Sequence, residues 1–408
     1  MSLPSHPTLE RIMFDSYGKL LSIVVRECRD IMLAEDALSG ALLRAITRWP
    51  EDGVPENPEA WLVTVARNSI TDAVRSDQAG ARSIRELLLR IEEDLSRRSG
   101  GGKLPDERLQ LLFALAHPAI DPATRAPLMV QVALGLQTER VASAFMVSPA
   151  VMAKRLSRIK AKIRDARIPL QVPEEDLESR LNDVLNALYA IYGTGWDGLY
   201  EGGPELSDLR SEALYLSEQV VLALPGQPEA LGLAALLLYC ESRTIARCDQ
   251  NGEYLPLDVQ ATALWNNEFF SRAEELLRSA FCSKRFGRFQ IEAAIQSAHM
   301  NRRLKGVDTR QDVVRLYREL TVLNDSPSTE LGLIAALHAV RETQEARKRL
   351  DRLSVEIVNS YQPYWAVRAE VYRTLGEIDE ARTAYERAIA LSQSAAIRRF
   401  LRRQMEER

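Results

Sequence analysis

The sequence predicts an all-α protein made of several helical domains, and three observations predict it. Apolar residues recur at helical spacing along nearly the whole chain. No run of alternating β-branched residues bounded by turn signals argues for a sheet. Cap residues followed directly by proline, at Asn57-Pro58, Asp121-Pro122 and Ser148-Pro149, mark helix starts. At 408 residues the chain is too long for one simple core, so two or three domains are expected.

The elements follow in order. Leu9 to Arg29 reads as a long amphipathic helix. A second runs from Leu33 to Arg48, LAEDALSGALLRAITR, and Trp49-Pro50 is expected to end it before the loop EDGVPENP. Asn57-Pro58 opens a third, through EAWLVTVARNSITDAVRSD, with Leu62, Val65, Ala66, Ile70 and Ala73 as its buried stripe. Thr64, Arg67, Asn68, Thr71 and Arg75 point the other way, and Trp61 stands near its start. Residues 79–105 read as a linker holding one amphipathic helix, SIRELLLRIEEDLSRR, before the flexible SGGGKLP. A second bundle begins at Asp106, and in it the helix opened by Asp121-Pro122 is closed by Gly135.

The stretch from Thr138 to Arg164, TERVASAFMVSPAVMAKRLSRIKAKIR, predicts a helix, a tight turn and a second helix. Thr138 is read as the first cap, Val141, Ala142 and Phe145 as an apolar face, and Met146 and Val147 as the turn. Ser148 stands where the second N-cap belongs, with Pro149 at the first helical position. Met152, Leu156, Ile159 and Ile163 share one face of that helix, while Lys154, Arg155, Arg158, Lys160, Lys162 and Arg164 occupy the rest. This is the pattern of a helix-turn-helix whose second helix enters the major groove. A solvated basic face on an ordinary bundle is the plainer alternative.

Behind IPLQVP the chain is again helical from Glu174 onward, with loops expected at YGTGWDG, EGGPELS, LPGQP and CDQNGEYLP. From Gln362, the residues Trp365, Ala369, Tyr372, Gly376, Ala381, Tyr385 and Ala388 fall where a tetratricopeptide (TPR) helix pair wants large and small side chains. Asp312 to Asn324 and Thr329 to Arg352 supply further helices.

Composition narrows the function classes. Residues 1–168 hold 24 Lys and Arg against 21 Asp and Glu, whereas the remainder holds 29 against 36, within a net charge of −4. A mildly basic front and an acidic rear suit a nucleic-acid-binding part joined to a protein-interaction part. Cys28, Cys240, Cys248 and Cys282 form no CxxC, and the four histidines are scattered, so no metal site or other cofactor is expected. A Gly-rich phosphate loop and a Ser/His/Asp order are both missing, which argues against an enzyme. MSLPSHPTLERIMF lacks a basic region followed by an apolar core, and no apolar run is long enough to cross a bilayer, so a cytoplasmic protein without membrane contact is expected.

Taken together, these segments resemble bacterial sigma factors of the extracytoplasmic-function (ECF) type, in the subgroup with a long C-terminal TPR-like extension. AEDAL at 34–38 with LLRA at 42–45 is similar to the helix that docks on the polymerase clamp. NPEAWLVTVARNSITDAVR at 57–75 is similar to the segment that opens and reads the promoter −10 element. Residues 117–164 resemble the −35-reading domain. LPGQPEALGLAALLLYCESR (224–243), FGRFQIEAAIQSAH (286–299) and the segment 360–391 are similar to stretches of the extension. Ser39 and Gly40 depart from the docking pattern, which has Gln and an acidic residue there, and IYGTGW at 191–196 departs from the family's F-N-E-G-Y-like turn.

The resemblance implies a non-enzymatic protein that binds core RNA polymerase and promoter DNA and directs promoter-specific transcription initiation. Its domains would be residues 1–78 (polymerase docking and −10 reading), a linker at 79–105, residues 106–168 (helix-turn-helix, −35 reading) and a regulatory extension at 169–408. Glu35, Asp36, Leu38 and Leu42 would face the polymerase. Trp61, Arg67, Asn68, Thr71 and Arg75 would meet the −10 DNA, although plain core packing suits Trp61 better. Ser148, Lys154, Arg155 and Arg158 would enter the −35 major groove, with Lys160, Lys162 and Arg164 toward phosphate or solvent. The extension would act on the front domains within the chain, and Gln290 and His299 are its notable polar residues, most simply read as partners of buried backbone groups. The alternative is a sigma-derived helix-turn-helix regulator that no longer engages polymerase efficiently, motivated by Ser39 and Gly40. A small-molecule sensor built on the extension is a third reading.

Overall fold

A computed structural model gives the fold, and it describes residues 9, 12, 16–76, 104, 106–145, 147–197, 204–353 and 358–406. Among these residues the chain is all-α, with eighteen α-helices and four short 3-10 turns; the extended pairing is limited to a single bridge, Cys248 to Tyr254. Two compact units divide it. The first takes Met1–Trp196 and Pro204–Leu224, and the second takes Asp197–Gly203 and Pro225–Arg408. The expected linker and its embedded helix lie outside the described residues, apart from Leu104.

The first unit holds α1 (Tyr17–Cys28), α2 (Ile31–Asp52), α3 (Pro58–Ser76), α4 (Glu107–Leu115), α5 (Pro122–Leu134), α6 (Thr138–Ala144), α7 (Pro149–Asp165), α8 (Leu177–Asp197) and α9 (Pro204–Ala223). Helix starts are set by side chains that accept otherwise orphaned N–H groups. Asp30 accepts from Met32 and Leu33, Asp106 from Arg108 and Leu109, and Asp121 from Ala123. Helix α2 does not stop at Trp49-Pro50 but runs to Asp52. Proline there lies in the last turn, and the Gly53 N–H still closes onto the Trp49 carbonyl.

Helix α1 is the axis of this unit and packs on α2, α3, α4 and α5. Leu20, Leu21, Val24 and Val25 are its buried face. Gly18 lets α1 approach the backbone of α5 at Ala133, and Gly135 closes α5 in the left-handed region with the Tyr17 ring against it. On its polar edges, Arg26 pairs with Glu107, and Glu59 of α3 accepts from Ser16 (2.5 Å) and pairs with Lys19 (3.4 Å). Helices α8 and α9 belong here, although a division at residue 168 would assign them to the rear of the chain. Asp183 pairs with Arg125 (2.5 Å), Arg180 donates to the Phe113 carbonyl (3.3 Å), and Glu212 pairs with Arg108. The expected loop at YGTGWDG is largely helical, since α8 continues to Asp197.

The second unit is a succession of packed helices: α10 (Pro228–Ser242), α11 (Asn267–Phe281), α12 (Arg288–Lys305), α13 (Arg310–Leu323), α14 (Pro327–Ala339), α15 (Thr343–Leu350), α16 (Gln362–Thr374), α17 (Ile378–Leu391) and α18 (Ala395–Glu406). The expected helix from Thr329 to Arg352 is two helices, broken where Arg341 adopts positive φ. Helix α10 is buried on all sides between α11 and α12. Its Tyr239 hydroxyl donates to Glu274 (2.7 Å), which also accepts from Ser297 and Asn301. Helices α16 and α17 form the hairpin read from the sequence: Ala369, Ala381 and Ala388 are buried at the contact, with Tyr385 between the helices. The last helix returns to the loop after α10, where Arg399 and Arg403 both pair with Glu253 and Phe400 packs edge-on against Tyr254.

Gln290 is buried, and its amide donates to the Arg285 carbonyl (2.8 Å). Burial, with Arg302 and Arg243 adding and Asp258 opposing, pushes His299 down to about 4. The imidazole therefore stays neutral in the fold where the unfolded chain already binds a proton. Its stabilising contribution is complete above about pH 6.5 and is lost as the pH falls toward 4. Urea unfolding at pH 7.5 and pH 5 should show the fold losing stability at the lower pH, with a smaller loss in His299→Gln.

Candidate nucleic-acid interface

Helices α6 and α7 are joined by four residues and pack on each other and on α5. The Val141 N–H bonds the Gln137 carbonyl, so the chain turns into α6 one residue before Thr138, whose hydroxyl accepts from Gln131 instead (3.0 Å). Ser148 caps α7 through the Val151 N–H (3.4 Å), with Pro149 in the first turn. Met152, Leu156, Ile159 and Ile163 are all buried. Met146 lies outside the described residues.

The six cations of α7 divide into two sets. Lys154, Arg155 and Arg158 are exposed on successive turns, and none makes an ion pair with another described residue. Ser148 and Val151 are exposed beside them at the helix start. The other three have partners within the chain, and of these only Lys160 is buried. Lys160, read from the sequence as a DNA or solvent contact, is 8% exposed, and its Nζ lies 2.5 Å from Glu35 Oε1 on α2. Lys162 donates to the Ala119 carbonyl (2.8 Å), and Arg164 reaches Met32 Sδ (3.9 Å) and Asp165 (2.9 Å). A buried ammonium requires a partner, and the carboxylate supplies it.

On α3, Thr64, Arg67 and Asn68 are exposed and Thr71 is half-buried. Arg67 binds both carboxylate oxygens of Glu27 on α1, with its Nε at 2.6 Å. Thr71 donates to the Arg67 carbonyl (2.9 Å), and the Arg75 side chain lies outside the described residues. Trp61 is half-buried and packs edge-on against the buried Trp49, ring centroids 5.5 Å apart. Val65 is half-buried and Ala73 exposed, so the inner stripe of α3 runs through Leu62, Val63, Ala66 and Ile70.

Helix α2 presents a different face from the one read in the sequence. Leu38 is fully buried and Leu42 nearly so; both belong to the core of the unit and not to an outer surface. Glu35 is engaged by Lys160, and Asp36 is exposed. The apolar side chains α2 exposes are Leu43 (65%), which lies within LLRA but is not among the expected polymerase contacts, and Ile46 (45%), which lies beyond that motif. With Ser39, Leu136, Arg140 and Leu209 they line a cavity of about 1090 Å³. A Cβ at Gly40 would meet nothing within 4 Å, so Gly40→Ala should stabilise the protein by about 0.5–1 kcal/mol through helix propensity alone, read from thermal melting.

Residues 13–80 match the sigma-70 region 2 family, and residues 180–281 match a family of unknown function, DUF6596. The region 2 match at the front of the chain indicates a sigma factor family member. Region 2 of these factors is the part that contacts core RNA polymerase and promoter −10 DNA, so α1 to α3 are its core elements here. An uncharacterized protein of Rhizobium meliloti is 34% identical over 393 residues, covering 95% of this chain and 92% of that protein, so the two belong to one family along nearly their whole lengths. No solved structure matches the chain. In this sigma factor family member, no described helix is long and apolar enough to cross a membrane, and no described cluster of His, Cys, Asp and Glu could hold a metal ion.

Proposed function

We propose that this protein binds core RNA polymerase and directs promoter-specific initiation as an ECF-type sigma factor. In this reading α6 and α7 read the −35 element, α3 meets the −10 element, and the helices behind α7 form a TPR-like regulatory extension. One observation carries it: the capped helix α7 keeps Lys154, Arg155 and Arg158 exposed and unpaired among the described residues, on the second and third turns of a helix of the kind that enters the groove. The resident partners would be polymerase and DNA, and the account needs no bound cofactor.

A second reading, a sigma-derived DNA-binding regulator that has lost efficient polymerase docking, draws on Leu38 and Leu42 being interior and Glu35 being engaged within the chain. Capture of purified core polymerase on immobilised full-length protein separates the two. The sigma reading expects capture, weakened roughly tenfold by Asp36→Lys on the exposed face of α2. A folded protein that binds promoter DNA but captures no polymerase would establish the second.

A further inference from the structure

The chain passes from α11 to α12 through FCSKRFG, 281–287, and this turn holds two aromatic rings and two cations out from the second unit. Phe281 and Phe286 are 36% and 61% exposed, and their rings lie together, centroids 5.7 Å apart at a 52° tilt. Lys284, Arg285 and, one turn back on α11, Arg278 are exposed beside them, and none makes an ion pair with another described residue. No acidic residue stands between Glu275 and Glu292. Glu229, which lies against Gly287, is taken up by the N–H groups of Phe289 and Gln290, and Glu292 by Arg288 (2.7 Å). The turn is held in one shape. The Lys284 N–H bonds the Phe281 carbonyl (3.3 Å), the Arg285 N–H bonds the Ser283 hydroxyl (3.2 Å), and the buried Gln290 donates to the Arg285 carbonyl (2.8 Å). Lys284 itself sits in the left-handed region at φ 55°, where glycine would fit without strain, so its side chain is present against the preference of the backbone.

We propose that this turn is a binding site for single-stranded nucleic acid, with Phe281 and Phe286 stacking on bases and Arg278, Lys284 and Arg285 meeting the phosphates. It goes beyond the reading above, which puts DNA on α3 and α7 of the first unit, and it does not depend on −35 recognition. Bases of any sequence present a π face, and the phosphates of a strand supply the anions that the three cations lack within the chain. A duplex offers the phosphates but keeps its base faces stacked, so it satisfies only the charged half of the site. An anionic bilayer would also answer the cations, but two phenylalanine rings are a small apolar anchor, and membrane-interface aromatics are chiefly Trp and Tyr.

Full-length protein is titrated with oligodeoxythymidine and oligouridine of equal length, read by fluorescence anisotropy. It is then irradiated with the same strands carrying 5-iodouracil, which couples to an aromatic ring stacked on it. The expected adducts lie on Phe281 or Phe286 by peptide mass spectrometry. Phe281→Ala with Phe286→Ala should weaken single-strand binding about tenfold or more and leave duplex binding within about twofold. Lys284→Gly with Arg285→Gln, whose glycine suits the left-handed backbone, should flatten the log–log salt dependence by about 1.4. Tighter binding of the DNA strand assigns the site to opened DNA and tighter binding of the RNA strand to transcript; either supports the proposal. Adducts confined to other residues, or single-strand affinity unchanged in both variants, would overturn it. Equal losses for strand and duplex in the ring variant would overturn it too, as would lost binding to phosphatidylserine vesicles in that variant with strand binding intact. A protein that forms the expected adducts but captures no polymerase overturns the functional reading and leaves this site standing.

Discussion

Reversing two charges, Arg155→Glu with Arg158→Glu, is expected to abolish recognition of −35 DNA while leaving the fold intact. Both side chains are exposed and make no ion pair with another described residue, so folding does not depend on them. Contacts of this kind contribute about 1–3 kcal/mol each, so the pair should weaken binding about 100-fold or more. The dependence of affinity on salt should flatten by roughly two phosphate equivalents. The measurement is fluorescence anisotropy with a −35 duplex across a salt series, alongside thermal melting. Lys160→Glu should behave differently. It places a carboxylate against Glu35 in a nearly closed space and should lower the melting temperature first.

The second large effect is expected at Gly232. A Cβ there would lie 2.6 Å from the Gln290 nitrogen and 2.9 Å from its Cα, so α10 crosses the first turn of α12 at backbone contact. One turn earlier on α10, Glu229 accepts the N–H groups of Phe289 (3.0 Å) and Gln290 (3.1 Å), which no helical carbonyl can reach. Gly232→Val forces the helices apart and loosens both hydrogen bonds. Overpacking and the two unsatisfied donors together should cost about 3 kcal/mol or more. For a unit of this size the melting temperature should fall by roughly 6–12 °C. An unchanged melting temperature in circular dichroism would show that α10 and α12 are not in contact there.

These two sites differ in how far the sequence reveals them. Ser148-Pro149 and the stripe from Met152 to Ile163 fix which way α7 faces, so the outward placement of Lys154, Arg155 and Arg158 is legible from local rules. The fate of Lys160 is not. It lies in the same basic run, and its partner is 125 residues away on α2. Local spacing carries no information about such a pair. Leu38 and Leu42 show the same limit: on a helix with neighbours on several sides, motif similarity names residues without saying which face is covered. Helix α10 is apolar all round, so it has no stripe to show that Gly232 and Glu229 face α12. Pro50 misleads for a physical reason, since proline breaks a helix interior but is tolerated in a last turn. The α16–α17 hairpin was readable because small residues and aromatics alternate at fixed offsets across a three-residue turn.

Initiation itself is the most direct measurement. Core RNA polymerase is mixed with the purified full-length protein and a library of genomic fragments, and transcript starts are mapped by sequencing. The account predicts starts that require the protein, share one −10 and one −35 element, and vanish with Arg155→Glu and Arg158→Glu. Folded protein that adds no start to those of core polymerase alone would contradict it.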